Sequence, residues 1–219
     1  MRAFGATYLR TLRAVRRRPV VLMLSLAQPL IWMLFFGFLF EKSVVSGIGE
    51  DLRYIDFVTP GICAMSVLFG ASQSGVALIR DIQTGMFERV LATPASRWQV
   101  YGGKISADVT RLLIQAIIIG CLATLLGAQI QPELGPTVVA IAALGLFAIA
   151  YAGLSSFVAI CTRAQESMAA LIHLVNMPLL FTSTALVPTK SMPDWLAPIA
   201  AWNPLSLVVN LLREALIGH

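Results

Sequence analysis

The chain has 219 residues, 58% of them hydrophobic and only 12% charged, with a net charge of +5 and a mean hydropathy of +0.80. Soluble domains carry about 25% charged residues, and a soluble fold of this size could not hide so much apolar surface, so the implied solvent is lipid. At roughly 20 apolar residues per crossing of a ~30 Å hydrocarbon core, the chain has room for five or six spans and for no separate soluble domain.

Residues 1–18 read as an amphipathic helix, with Phe4, Tyr8, Leu12 and Val15 at helical spacing and Arg10, Arg13 and Arg17 along another side. This is the pattern of a helix lying in the membrane interface with its arginines toward anionic headgroups; the alternative is a solvated basic tail. The run 19–40 is too long for the apolar core of a signal peptide and ends in Phe-Glu-Lys-Ser rather than a small-x-small site, so it is read as a retained span. After the polar segment 41–53 comes span 2, residues 55–79, which is unusually polar: it holds Ser66, Gly70, Ser72, Gln73, Ser74 and Gly75. Ser66, Gly70 and Ser74 stand four apart, a small-xxx-small face suited to close helix packing. A hydrophilic loop, 80–102, leads to span 3 at 103–127. Span 4 at 137–161 has its own small-residue stripe of Ala148, Ala152 and Ser156, and a tight turn at Arg163, Gln165 and Glu166 precedes span 5 at 168–187.

Residues 188–212 differ from all of these. Pro188, Pro193, Pro198 and Pro204 cut the segment into apolar pieces too short to cross, and Trp195 and Trp202 suit headgroup depth. Short re-entrant or interfacial helices fit, since irregular backbone at membrane depth must be buried in protein or line a cavity. Lysine and arginine counts set the orientation. Eleven lie on the side of the N-terminus, the 80–104 loop and Arg163, against Lys42, Arg53, Lys190 and Arg213 on the other. The N-terminus and the 80–102 loop are therefore expected in the cytoplasm, with 188–212 outside. Five spans from a cytoplasmic N-terminus leave the C-terminus outside, and the sequence reads as stopping before a sixth span.

Catalytic patterns are few. The Gly103-Lys104 pair lacks the remaining P-loop positions, where Trp98 and Ile105 stand. His173 and His219 form no metal-ligand spacing with cysteine or carboxylate. Cys63, Cys121 and Cys161 read as small apolar residues inside helices. Ser155 with His173 is the best serine–histidine pair on offer for a membrane hydrolase, a combination common by chance. Asp108 and Arg111, at i, i+3 near the cytoplasmic end of span 3, are expected to pair on one helix face. No chain of carboxylates crosses the membrane, which argues against a proton-coupled carrier and toward a power source on another polypeptide. No catalytic residue, metal or cofactor is assigned.

In the loop, Asp81 to Leu91 has helical spacing, with Ile82, Met86, Phe87, Val90 and Leu91 forming an apolar surface among charges and Thr93-Pro94 as its stop. Such a helix between two spans is a docking element: Met86 and Phe87 would fill a groove while Glu88 and Arg89 set register. The alternative is a helix that lies on the membrane surface.

Three segments together resemble the ABC type-2 permease family, exporters of drugs, lipids and polysaccharides. Tyr54-Ile-Asp-Phe-Val-Thr-Pro-Gly-Ile62 looks like the family's Tyr-x-x-Phe-x-x-Pro-Gly opening of span 2. Arg80-Asp-Ile-Gln-Thr-Gly-Met-Phe-Glu-Arg-Val-Leu-Ala-Thr-Pro94 is similar to its coupling region. Asn176-x-Pro178, Ser183, Pro188, Met192-Pro-Asp-Trp-Leu196, Asn203-Pro204 and Arg213 follow its span 5 and re-entrant segment, although Ser183-Thr-Ala stands where the family often has Ser-Gly. The resemblance implies an all-α integral membrane permease filling 1–219 as one domain, with an interfacial helix, five spans and a missing sixth, and an outward re-entrant segment marked by Pro188, Pro193, Trp195, Asn203 and Pro204. It implies a plasma membrane location, in bacteria the inner membrane. Two ABC ATPase subunits would dock on Arg80, Gly85, Met86, Phe87, Glu88, Arg89 and Pro94. A second permease copy or a sister would pack along spans 1, 2 and 5, with Ser66, Gly70, Gln73, Ser74 and Asn176 at the pathway and the dimer contact. The lipid bilayer is the remaining partner and nucleic acid is not one. The rival reading is a membrane anchor or assembly factor that recruits a cytoplasmic protein through the same loop.

Overall fold

The computed structural model describes residues 2–16, 19–40, 53–86, 96–130, 133–162 and 164–217, and its regular elements there are all helical. In chain order they are α1 (Arg2–Arg16), α2 (Pro19–Leu39), α3 (Tyr54–Gln83), α4 (Arg97–Leu125), α5 (Leu134–Thr162), α6 (Gln165–Phe181), α7 (Ala197–Trp202) and α8 (Pro204–Ile217), with a 3-10 turn at Thr189–Ser191 before α7.

The bundle is built around α3. This helix has 30 residues, about 45 Å at 1.5 Å per residue, and α2, α4, α5, α6 and α8 all pack against it. Among the described residues α3, α4 and α5 are long and apolar enough to cross a bilayer, and α2 holds a shorter apolar stretch, Met23–Leu39. In the most apolar 18-residue window of each, 72% of α3 is buried, against 39% of α4 and 33% of α5. The outer helices turn Ile117, Ile118, Leu146, Ile149, Leu154 and Phe157 away from the bundle, as lipid-facing surfaces do.

The start of α3 is set by Asp56. One carboxylate oxygen accepts from the Arg53 backbone N–H at 3.0 Å, which caps the first turn. The other accepts from the Gln129 N–H at 2.7 Å, so a carboxylate only 1% exposed also ties the α4–α5 connection to this end of the helix. Pro60 sits inside α3 and removes one backbone donor, yet the helix runs on because five neighbours hold it. On the opposite end α3 stops at Thr84-Gly85, where Gly85 adopts φ +65° and its N–H returns to the Ile82 carbonyl at 3.0 Å. A left-handed glycine is a common helix stop.

Several sequence expectations change. The hydrophilic 80–102 segment is helical at both margins, because α3 continues to Gln83 and α4 begins at Arg97. The helix expected from Asp81 to Leu91 is therefore interrupted: Asp81, Ile82 and Gln83 complete α3, Gly85 breaks it, and helical geometry resumes at Met86. Span 5 ends at Phe181 rather than 187, since the chain leaves the helix at Thr182. The departure at Ser183-Thr184-Ala185 has not preserved a helix there; Ser183 caps the break by donating to the Leu180 carbonyl at 2.6 Å. Gln165 and Glu166, expected in the turn, form the first turn of α6, and Arg163 lies outside the described residues. Residues 188–212 are short helical pieces as anticipated, but α8 runs past 212 to Ile217.

Candidate translocation and coupling site

The loop end of α3 carries the residues singled out for docking. Arg80 is exposed and Met86 is 40% exposed, with Gly85 at the break between them. Phe87, Glu88, Arg89 and Pro94 lie outside the described residues. The Arg10 guanidinium of α1 donates to the Met86 sulfur at 3.3 Å, so α1 meets the start of the loop.

Just beyond the loop, α3 and α4 are joined by charge. Asp108 pairs with Lys104, one turn earlier on α4, at 3.4 Å, and both side chains are largely buried. The expected Asp108–Arg111 ion pair is replaced by this one, because Lys104 lies at i−4 and bonds the Ser74 carbonyl at 3.2 Å as well. The Ser74 hydroxyl donates to the same Asp108 oxygen at 2.9 Å. Arg111 instead reaches the Gly70 carbonyl of α3 at 3.5 Å. The small-residue face of Ser66, Gly70 and Ser74 thus lies under α4 within the same subunit: Ser66 and Ser74 are buried, and a Cβ on Gly70 would strike Leu112. Gln73, between them in sequence, is exposed.

Midway along α3 a second polar cluster joins α5 and α6. The Tyr151 hydroxyl donates to the Asn176 side-chain oxygen at 2.6 Å. The Asn176 amide donates to the Ser72 hydroxyl at 2.8 Å, and that hydroxyl donates to the Leu68 carbonyl at 2.8 Å. Ser155 on α5 donates to the Ser72 carbonyl at 2.6 Å and accepts from the Gly75 N–H at 3.2 Å. Asn176 and Ser72 are each 1% exposed, so the bond between them lies inside the bundle, while Tyr151 closes the network from a partly exposed position. Ser155 is committed to two backbone groups while His173 faces outward. Among the described residues no hydrogen bond joins them, and the pair is not assembled as a nucleophile and base.

At the far end of α3 the non-helical segment 182–187 is gripped from both sides. A Cβ on Gly61 would stand 2.0 Å from the Ala185 carbonyl oxygen, so only glycine lets the two backbones meet there. Tyr54 donates its hydroxyl to the Leu186 carbonyl at 2.8 Å. From α8, the Ser206 hydroxyl accepts the Thr184 N–H at 3.0 Å and the Asn210 side chain accepts the Thr184 hydroxyl at 3.0 Å. Arg213 donates to the Thr184 carbonyl at 3.0 Å and the Phe57 carbonyl at 3.4 Å, with its guanidinium 3.8 Å from the Phe57 ring centroid. Asn203 bonds the Leu179 carbonyl at 2.7 Å and the Thr182 hydroxyl at 3.0 Å. Beside it, Leu179, Thr182, Pro198, Ile199 and Trp202 line an open, largely apolar cleft of about 530 Å³. Of the re-entrant markers, Asn203 and Pro188 are buried, while Pro193, Trp195 and Pro204 are exposed.

Sequence reasoning passed over three of these positions. Asp56 and Arg213 were read as motif members without a partner, and Gly61 as part of a Pro-Gly pair. An acidic residue three positions into a helix start is a capping signal that could have marked Asp56. Gly61 meets Ala185, and Arg213 reaches Phe57 and Thr184; these partners are distant in sequence and leave no local trace.

A helical bundle with three helices long enough to span and largely buried polar seams between them defines a multi-pass membrane protein. The comparisons sharpen this. The profile of the ABC-2 type transporter family matches residues 2–217. A putative transport permease ycf38 of Cyanophora paradoxa is 32% identical over 200 residues, 91% of this chain and 69% of that one. The daunorubicin resistance ABC transporter permease protein DrrB1 of Streptomyces coeruleorubidus is 27% identical over 209 residues, 95% of this chain and 73% of that one. A probable doxorubicin resistance ABC transporter permease protein DrrC of Mycobacterium tuberculosis is 27% identical over 161 residues, 74% and 58% of the two chains. The chain belongs to the ABC-2 type transporter family and is an ABC transporter membrane subunit.

Proposed function

We propose that this chain forms the translocation pathway of an ATP-driven exporter, powered by a separate ATPase subunit present in two copies and completed by a second permease copy or a homologous sister. The observation that carries the reading is α3. One helix reaches from the loop break at Gly85 to the gripped segment at 182–187, and polar clusters pin it to its neighbours at points along the apolar core it shares with them. A displacement of the loop is then transmitted along α3 and the attached start of α4 to the far end. In this reading α2 to α6 make five crossings, the N-terminus and loop face the cytoplasm of a cell whose plasma membrane holds the protein, and 182–217 forms the outward, re-entrant part. Arg80, Gly85, Met86, Phe87, Glu88, Arg89 and Pro94 engage the ATPase. Gln73 is an exposed polar residue midway along α3 and faces the pathway, with α2, α3 and α6 contributing to its lining and the subunit contact.

Amphipathic or hydrophobic cargo, a drug, lipid or glycan, suits a lining drawn from such apolar helices. Relatives named for daunorubicin and doxorubicin resistance support the drug class. The rival, a non-transport anchor using the same loop, makes the same docking prediction but no transport prediction.

The test is a mild-detergent purification of the full-length tagged chain from its native membranes, with co-purifying proteins identified and counted. The expected result is a Walker-motif ATPase at about one copy per permease, lost when Phe87 and Glu88 are both replaced by alanine. ATP-dependent movement of an amphipathic dye in vesicles holding that complex then separates exporter from anchor. Absence of an ATPase under conditions that keep other membrane complexes intact overturns the proposal.

A further inference from the structure

We infer that Gln115 of α4 is the latch of a proline joint in α2. Pro29 lies inside α2 and is buried. Having no N–H, it cannot make the helical hydrogen bond to the carbonyl four residues back, which belongs to Ser25. Gln115 supplies a donor in its place. Its side-chain nitrogen donates to the Ser25 carbonyl at 3.0 Å, from 90 positions away in the chain. A carbonyl only accepts, so the nitrogen of the amide and not its oxygen faces Ser25. The Gln115 oxygen is left buried with no hydrogen-bond partner among the described residues. Packing does not explain an amide at this position. Gln115 is 6% exposed, and Leu112 and Ile119, a turn to either side of it, are buried as well. An apolar side chain would fill the same space without burying an unpaired oxygen. What the amide serves is the carbonyl that Pro29 leaves without its helical donor.

The joint divides α2 into two halves that are held differently. After it, Met33 is fully buried and Gly37 lies against Ile55 of α3. Phe36 stacks on Phe40, and the Phe40 ring meets that of Tyr54 at 4.9 Å, the same Tyr54 that holds the Leu186 carbonyl. This half belongs with the far end of α3. Before the joint, Val20, Met23 and Leu24 are exposed, and the bond from Gln115 ties this half to α4. Helices bend where proline interrupts the backbone ladder. Opening the Gln115 bond therefore lets residues 19–28 swing against 30–39 while the second half stays on α3. In the proposed exporter α2 contributes to the pathway lining, so the joint gives that wall two positions; this consequence rests on the exporter reading, whereas the latch itself does not.

The experiment is amide hydrogen exchange, read by mass spectrometry on the full-length chain in detergent, over a cycle of two substitutions. Gln115→Met keeps nearly the same volume and removes the donor. Pro29→Ala restores the N–H that the Ser25 carbonyl lacks. In the wild-type background Gln115→Met is expected to speed exchange of amides 23–28 roughly tenfold, the effect of losing one buried hydrogen bond. Exchange in α3 and in the second half of α2 is expected to stay as it was. In the Pro29→Ala background the same Gln115→Met change is expected to alter exchange by less than about twofold, because the backbone then supplies the donor itself. An equal acceleration in both backgrounds overturns the inference, since Gln115 would then serve something other than the proline joint. So does an acceleration spread over α3 and α4, which is general loosening, or no acceleration at all. If Gln115→Met does not fold, Gln115→Asn, whose amide is one methylene too short to reach, takes its place in the same cycle and the same outcomes decide.

Discussion

The two helices α3 and α5 are nearly equal in length, at 30 and 29 residues, and opposite in placement. The more polar one is in the middle of the protein and the more apolar one is at its edge. In water the order would be reversed. In a bilayer, lipid chains are as apolar as leucine, so apolar surface gains little by turning inward. What separates inside from outside is the need of polar groups for partners. Asp56, Ser66, Ser72 and Ser74 of α3 are each buried, and each is hydrogen-bonded inside the subunit. By contrast, α5 shows Leu146, Ile149, Leu154 and Phe157 to the outside and uses Tyr151 and Ser155 to hold α3.

If α3 is the structural centre, changes on it should cost far more than changes on the outer face of α5. The largest effect is expected at Gly61. Gly61→Ala forces a methyl into the Ala185 backbone, which cannot yield as a flexible side chain would. A loss of about 3 kcal/mol or more is expected, read as a collapse of the thermal unfolding temperature of the detergent-purified protein; a shift under two degrees would show that 182–187 does not sit where described. Next comes Asn176→Ala, which leaves the Tyr151 and Ser72 hydroxyls without their shared partner. About 1–2 kcal/mol is expected, and a double-mutant cycle with Tyr151→Phe should return a coupling near 0.6–1.7 kcal/mol, roughly the span known for interhelical bonds in lipid. Additive losses would dissolve the network into separate contacts. Asp108→Asn should remove the Lys104 ion pair while keeping a partner for Ser74, at about 1 kcal/mol, and Lys104→Met in that background should add little. The smallest effect is expected on the lipid face of α5. Phe157→Ala, on a side chain 65% exposed, should change stability by less than roughly 0.5 kcal/mol. A loss there comparable to Asn176→Ala would mean that this face is covered by another subunit, and the comparison would then turn on assembly rather than on lipid.

Much of this architecture was legible before any coordinates. The N-terminal helix, the apolar helices and the short pieces after Pro188 follow from length, hydropathy and proline spacing, which are local properties. The small-xxx-small face on α3 was legible as a packing face too, but not its partner, since Gly70 and Ser74 declare that something packs closely and not that α4 does. Gln73 and Ser74 are neighbours of like polarity, and only the bundle separates them into an exposed and a buried residue. The ion pair was misassigned for a related reason: i, i+3 and i, i+4 are equally near along a helix, and the choice of Lys104 over Arg111 was made by the Ser74 and Gly70 carbonyls of α3.

The sequence by itself determined the solvent, the helical class and the family, because a bilayer obliges every spanning segment to satisfy its backbone within itself and so writes its spans into composition. Tertiary structure alone decided which helix stands at the centre, where span 5 ends, and how Tyr54, Gly61 and Arg213 come together around 182–187. Those outcomes depend on pairings between residues far apart in the chain, and such pairings have no local signature because their energy exists only once the partners have met.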